Sequence, residues 1–519
     1  MNEMEQRIHR FSLSEAVETP SRFRHAIGKY IIYRNSKCIS CGLCSTLCPY
    51  GVHPRYDTFS LPLRPKSHKC IGFTCKKNEF YCIDRCPEKA LTLRLNPILD
   101  TLGDYRWSPE MLIGHWEMAE TGRLPAGDLE YHLGYSRGGF DKIRFKIPHP
   151  NSFLDIPDEE VDMGIDLNKR KDSRPRIRIS IPCYGGGMSY GSTALSVMVG
   201  RARAASRLNT LTCTGEGGYP RELTPYSRHV ITQVATGLFG VREETILHAP
   251  VVEFKYAQGA KPGLGGHLLG DKVTPEVAAI RETVVGNALF SPFPFHSVYS
   301  VEDHKKHVDW IKEINPEALV SVKVSTPTDV DMVAVGSYYA GAHIIHLDGS
   351  YGGTGAAPDI AKKNIAMPIE YAVPKVHRFM TDEGVRDDIC LIASGGIRNA
   401  MDVAKAIALG ADGAVIGTAE LVALECVRCG NCESGRGCAR GIATTDPELG
   451  HLITEDWAER RIVNMYTAWR KQWCELLRQF GMRSIRQLRG RSDLLVHLDY
   501  LEEEERLKYA PAPNAKMVI

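Results

Sequence analysis

The stretch SGGIRNAMDVAKAIALGADGAVIGTAEL, residues 394–421, opens on a Gly-rich turn, continues as a helical repeat and ends in a strand that again closes on glycine. A unit of this kind builds both a (β/α)8 barrel and a doubly wound open sheet. The strands around it decide between them. Short apolar, β-branched runs alternate with helical segments: IRISIPC (177–183), TLTCTG (210–215), ITQVA (231–235), VVEFKYA (251–257), VSVKVS (320–325), HIIHLDG (343–349), CLIASGG (390–396) and GAVIGTA (413–419). Eight such strands in about 250 residues predict an α/β fold of the (β/α)8 TIM-barrel type over residues 176–425.

Barrels commonly bind phosphate at the loops after strands seven and eight, against a helix N-terminus. Gly395 and Gly396 lie on the first of these loops, and Gly417 and Thr418 on the second. A third Gly-rich loop, DGSYGGTG (348–355), carries Gly352 and Gly353 after the sixth strand. Barrel loops use glycine for sharp turns in any case, but three such loops at one end point to a phosphate-bearing cofactor. No G-x-G-x-x-G follows a strand, so no dinucleotide site is expected. Lys323, inside VSVKVS, would reach the barrel mouth, where a cation could stabilise the anionic N1 of a reduced flavin. A salt-bridged structural lysine is the plainer alternative.

The chain has 519 residues, 43% hydrophobic and 24% charged, which is ordinary for a soluble globular protein. Lys plus Arg number 64 and Asp plus Glu 62, so the net charge of +2 makes no case for nucleic acid or an anionic membrane. The N-terminal MNEMEQRIHRFSLSEAV is charged throughout and does not read as an export signal. No apolar run is long enough to span a bilayer. The expected compartment is the reducing cytoplasm, where sixteen cysteines read as metal ligands or redox groups rather than disulfides.

Cys38, Cys41, Cys44 and Cys48 form C-x2-C-x2-C-x3-C-P, the bacterial ferredoxin spacing. Cys70, Cys75, Cys82 and Cys86 end in the same C-x3-C-P with wider earlier gaps. In such modules the fourth thiolate of each run serves the other cluster. The expectation is therefore two [4Fe-4S] clusters, one on Cys38, Cys41, Cys44 and Cys86, the other on Cys70, Cys75, Cys82 and Cys48. Zinc is the competing reading, but it favours paired knuckles without crossover. A third run, Cys426, Cys429, Cys432 and Cys438, follows the last strand. Cys183, Cys213, Cys390 and Cys474 read as buried apolar residues. Iron–sulfur clusters beside a phosphate-binding barrel suggest FMN, which converts single electrons into a hydride equivalent. Met188 and Gln233 are assigned to that cofactor as well.

TGEGG (214–218), QVATGLFGV (233–241), YAQGAKPGLGG (256–266), SPFPFHSVYSVEDH (291–304), HLDGSYGGTGAAP (from 346) and GIATTDP (441–447) together resemble the synthase domain of glutamate synthase. With the ferredoxin module, the chain resembles the archaeal-type stand-alone form. The resemblance implies FMN-dependent reductive amination of 2-oxoglutarate with ammonia. It implies that Lys261 binds the 2-oxo acid, Arg281 clamps its distal carboxylate and Glu216 sits near ammonia entry. It also implies an iron–sulfur cluster on Cys426, Cys432 and Cys438; Cys429 is additional, leaving [3Fe-4S] and [4Fe-4S] open. The family's KPGEGGQ is here KPGLGGH, so Leu264 replaces a carboxylate and His267 a substrate-contacting amide.

The reading divides the chain into a helical extension (1–36), a ferredoxin module (37–95), a linker wrapping the barrel (96–175), the barrel, an iron–sulfur loop (426–454) and C-terminal helices with a tail (455–519). No cysteine-nucleophile glutaminase and no β-helix is legible, so separate subunits carrying them, and an electron-donor protein, are expected partners. The rival readings are an electron-transfer subunit, or the same chemistry on a different oxo acid or amine.

Overall fold

The computed structural model describes residues 16–23, 27–55, 62–78, 80–125, 139–146, 153–264, 266–292, 294–433 and 436–500. At its centre stand eight strands: β1 Cys183–Gly185, β2 Thr212–Cys213, β3 Val230–Ala235, β4 Val251–Lys255, β5 Leu319–Ser325, β6 Ile344–Asp348, β7 Cys390–Ser394 and β8 Gly413–Ile416. They pair in parallel from β2 round to β8, and β8 returns to β1. The remaining seam is bridged where Gly185 N–H donates to the Leu211 carbonyl at 2.9 Å and Thr210 Oγ1 to the Cys183 carbonyl at 2.6 Å. The sheet thus closes as a (β/α)8 barrel. Strands such as VITQVA are buried along their whole length, because side chains fill the barrel on one face and meet helices on the other.

All eight expected strands are present, and the first is displaced. Arg178–Ile179, expected in the barrel, instead pairs antiparallel with Ile165–Asp166. Arg178 holds it there through Asp162 at 2.6 Å and Asp166 at 3.2 Å. The barrel strand begins at Cys183.

Helix α1, Pro109–Thr121, follows its sequence signals: Ser108 Oγ accepts from Met111 N–H, Pro109 starts the first turn and Gly122 stops it at φ 66°. It lies against the 25-residue helix α3, Glu455–Gln479, which packs on helix α2, Leu195–Arg207. Trp469 and Trp473 of α3 are fully buried, and Trp473 donates its indole N–H to the Ala400 carbonyl at 2.7 Å. Beyond α3 the chain adds a strand, Leu495–His497, antiparallel to Ile143–Phe145; the expected tail from 501 lies outside the described residues.

The cluster module carries a two-stranded ribbon, Tyr30–Arg34 against Leu91–Leu95. Residues 30–34 are therefore strand, which corrects the reading of 1–36 as a helical extension; residues 1–15 and 24–26 of that extension lie outside the described residues. The ribbon's inner face, with Ile32 and Leu91, packs beside Val52 and the cysteine loops, so the strand serves the module's own small core. Cys183, Cys213, Cys390 and Cys474 are buried, as expected. Among the described residues no helix is long and apolar enough to cross a membrane.

Candidate functional site

A cavity of about 280 Å³ opens at the C-terminal end of the barrel strands. Glu216, Lys261, His267 and Arg281 line it. So do the cofactor candidates Met188, Gln233, Lys323, Gly352, Gly353, Gly395, Gly396, Gly417 and Thr418. Leu264 does not, and its side chain is exposed. Of the two departures from the family motif, only His267 reaches the cavity, with its ring stacked on Phe290 at 4.7 Å.

Arg281 is the last residue of the helix Pro275–Arg281, which Thr274 caps. Its Nη2 donates to Ser189 Oγ at 2.8 Å and to the Tyr190 carbonyl at 3.0 Å, while its buried Nε makes no hydrogen bond. Gly217, at φ 146°, allows the neighbouring loop to pass, since a Cβ there would stand 2.7 Å from the guanidinium carbon. Burial pushes the guanidinium down to about 10, with Glu216 pulling the other way. Glu216 accepts from Ser291 Oγ at 2.9 Å and pairs with Lys255 Nζ at 3.3 Å. Burial alone would raise its carboxyl, but Lys255, Ser291 and Arg281 outweigh burial and hold it below the ordinary 4.5. Lys261 is buried on a loop anchored where Gly259 N–H donates to Asp348 Oδ2 at 3.0 Å. Burial, then Lys255, push its amine down. The mouth thus gathers the cations Lys255, Lys261, Lys323 and Arg281 with the carboxylates Glu216, Asp348 and Glu433 on its wall, and its cations suit a small anionic molecule.

Below it lies a polar network of which sequence reading found Gln233 and Lys323 and missed Glu253 and His346. Glu253, in the middle of β4, accepts from Gln233 Nε2 at 2.7 Å and Ser321 Oγ at 3.2 Å, and pairs with His346 Nδ1 at 2.9 Å. His346 Nε2 meets Ser394 Oγ at 2.7 Å; Ser394 donates to Asp348 at 2.6 Å; Asp348 pairs with Lys323 at 3.3 Å. Burial opposes the charge on Lys323, but Asp348, Glu253 and Cys213 outweigh it and raise its pKa. Lys255 was also missed. A charged residue inside a buried strand was the signal for Lys323, and VVEFKYA carries the same signal at Glu253 and Lys255.

Burial alone would raise the Glu253 carboxyl, yet His346, Lys323 and Gln233 hold it at about 2 instead of 4.5. A depressed carboxylate contributes stability that is complete above its ordinary value and is lost as pH falls towards 2. Glu253→Gln is therefore expected to lose less of its remaining stability than the parent between neutral pH and about pH 3, read from urea midpoints at both. An equal loss in both proteins would contradict this assignment.

The cysteines enclose space rather than converge. One small cavity is lined by Cys38, Cys41, Cys44 and Cys86, another by Cys48, Cys70 and Cys75, and Cys82 touches both. The structure thus brings together the thiols of the crossed pairing. Among the described residues no group of three or more His, Cys, Asp or Glu is placed to hold a metal ion. Thiols spread around a void fit a cubane better than a single zinc. Cys426, Cys432 and Cys438 line the barrel cavity, whereas Cys429 lies off it and is exposed. Arg428, in the left-handed region at φ 60°, turns the chain between Cys426 and Cys429.

Fold and site define an iron–sulfur barrel protein, with one cysteine loop at the barrel mouth and a cluster module beside it. Residues 141–483 match the conserved region in glutamate synthase and residues 30–87 a 4Fe-4S dicluster domain, and the chain belongs to the glutamate synthase family. The archaeal-type glutamate synthase (NADPH) of Thermotoga maritima is 36% identical over 502 residues, covering 92% of this chain and 96% of that protein. The archaeal glutamate synthase (NADPH) of Archaeoglobus fulgidus is 35% identical over 91% of this chain and 94% of its own length. The glutamate synthase (NADPH) large chain of Bacillus subtilis is 35% identical over 60% of this chain but only 21% of its own length.

Proposed function

We propose that this chain is the synthase subunit of a glutamate synthase, carrying out FMN-dependent reductive amination of 2-oxoglutarate with ammonia to L-glutamate, with electrons delivered through its iron–sulfur clusters. The observation that carries the reading is the gathering of Glu216, Lys261 and Arg281 in one cavity with the three cysteines of the barrel-mouth loop.

The residues fit FMN. A Cβ on Gly417 would meet nothing within 4 Å, so its backbone faces open cavity. Gly395, at φ 96°, turns the loop after β7 tightly over Gly349, whose carbonyl a Cβ would meet at 2.4 Å. Lys323, held charged by Asp348, supplies a cation. FMN bound there supplies the hydride equivalent. The remaining work falls to side chains. Arg281 offers a guanidinium to the distal carboxylate, and the fork geometry selects a planar anion. Lys261 holds the oxo-acid end and offsets charge developing on the carbonyl oxygen. Ammonia attacks the carbonyl, with Glu216, kept ionised, either taking up the proton that ammonium gives up or holding the cationic iminium. Loss of water then gives the iminium that is reduced. The cluster residues are Cys38, Cys41, Cys44 and Cys86; Cys48, Cys70, Cys75 and Cys82; and Cys426, Cys432 and Cys438. Ammonia and the electrons would come from partner subunits and a donor protein.

Steady-state turnover with a chemical reductant, 2-oxoglutarate and isotope-labelled ammonium tests the reading. Labelled glutamate, absent when either substrate is left out, is expected. Cofactor-replete protein that turns over electrons without forming glutamate would favour an electron-transfer subunit.

A further inference from the structure

Between β4 and β5 the chain forms an insert built on a two-stranded ribbon, His267–Leu268 against Leu289–Phe290. Leu268, Val273, Val277, Ala278 and Leu289 bury one another and give the insert a small core of its own. His267 and Arg281 of this insert line the cavity. The same insert holds Lys272, which is 3% exposed. Its place is set by a tight turn, in which Lys272 N–H donates to the Leu269 carbonyl at 3.0 Å and Val273 N–H to the Gly270 carbonyl at 2.9 Å.

The Lys272 side chain ends on the barrel-mouth cysteine loop, 160 positions away. Its Nζ donates to the Cys432 carbonyl and pairs with Glu433 at 3.5 Å. Cys432 and Glu433 both line the cavity. The glycine loop after β6 closes on the same cysteine, since a Cβ on Gly355 would stand 2.6 Å from Cys432 Sγ. The loop also has a cation of its own, Arg428, which pairs with Asp104 at 2.7 Å and donates to the Gly353 carbonyl at 2.7 Å. Lys272 differs in coming from the segment that carries Arg281. A buried ammonium against the peptide of a cluster ligand is little screened, and it favours the state that holds the extra electron.

We propose that Lys272 is a positioning residue for the barrel-mouth cluster: from the insert that presents Arg281, it fixes the Cys432 end of the cysteine loop and supplies a positive charge that raises the cluster's reduction potential. This rests on the reading of Cys426, Cys432 and Cys438 as cluster ligands and adds what tunes them. Glu433 works in the opposite sense, because a carboxylate next to a ligand disfavours the added electron. The pair sets the balance, and the substrate pocket and the cluster share one support.

The test is an anaerobic redox titration of the full chain with its clusters, read by electron paramagnetic resonance. The barrel-mouth signal is the one that Cys432→Ser removes. Lys272→Met is expected to shift the reduction equilibrium of that cluster about tenfold or more towards the oxidised form, about 59 mV per tenfold for one electron, while the N-terminal signals hold. Lys272→Arg keeps the charge and is expected to stay near the parent. Glu433→Gln is expected to shift the same equilibrium the other way, which lost packing alone would not do; it carries the test if Lys272→Met loses iron. An unmoved midpoint in iron-replete Lys272→Met overturns the role of Lys272, as does an unmoved midpoint in Glu433→Gln where Lys272→Met has lost iron. A parent with iron for two clusters, and no signal that Cys432→Ser removes, overturns the reading of the cysteine loop as a cluster site, and this role with it.

Discussion

Arg281→Ala is expected to raise KM for the 2-oxo acid by about two orders of magnitude or more, with a much smaller change in KM for ammonium. The guanidinium is buried, and its Nη2 is already committed to Ser189 and Tyr190. That fixes the orientation in which the remaining donors meet a ligand. Alanine removes the charge and leaves the substrate carboxylate without its cationic partner. Arg281→Lys is expected to recover only part of the loss, because a point charge cannot replace the planar fork. A loss in kcat with both KM values unchanged would move Arg281 from binding to structure.

Cys432→Ser is expected to cost the barrel-mouth cluster at least about a hundredfold in affinity. Iron analysis should fall by one cluster, and turnover with a donor entering at the N-terminal module should collapse with it. Cys429→Ser is the control. Cys429 is exposed and off the cavity that Cys426, Cys432 and Cys438 share, so iron content and turnover should hold. Loss of iron in both variants would make the site four-thiolate.

The barrel was legible because each strand is a short β-branched run cut off by a Gly-rich loop, and burial on both faces imposes that composition. The glycine loops after β6, β7 and β8 marked the cavity: Gly352, Gly353, Gly395, Gly396 and Gly417 all line it, most of them where a side chain would meet a neighbouring segment. The N-terminal cysteines marked a two-cluster module through their spacing, and residues 30–87 match a 4Fe-4S dicluster domain. Other features depend on contacts between distant segments. Arg178–Ile179 reads as barrel strand, yet its partner is Ile165–Asp166, chosen by ion pairs that no local pattern records. The four cysteines in thirteen residues left three or four ligands open in the sequence; in the fold Arg428, at φ 60°, precedes Cys429, which is exposed and off the cavity that the other three line. Lys272 is separated from Cys432 by 160 positions and has no motif of its own. Glu253 and Lys255 were legible as charges inside a core strand.

The most direct measurement is a single turnover. The FMN-loaded chain is reduced anaerobically, freed of reductant and mixed with 2-oxoglutarate and ammonium while the flavin spectrum is followed. Prompt reoxidation that requires both additions, with glutamate formed, is the predicted result. A flavin that stays reduced with both present, in protein holding its full set of clusters, would contradict the assignment of amination to this chain.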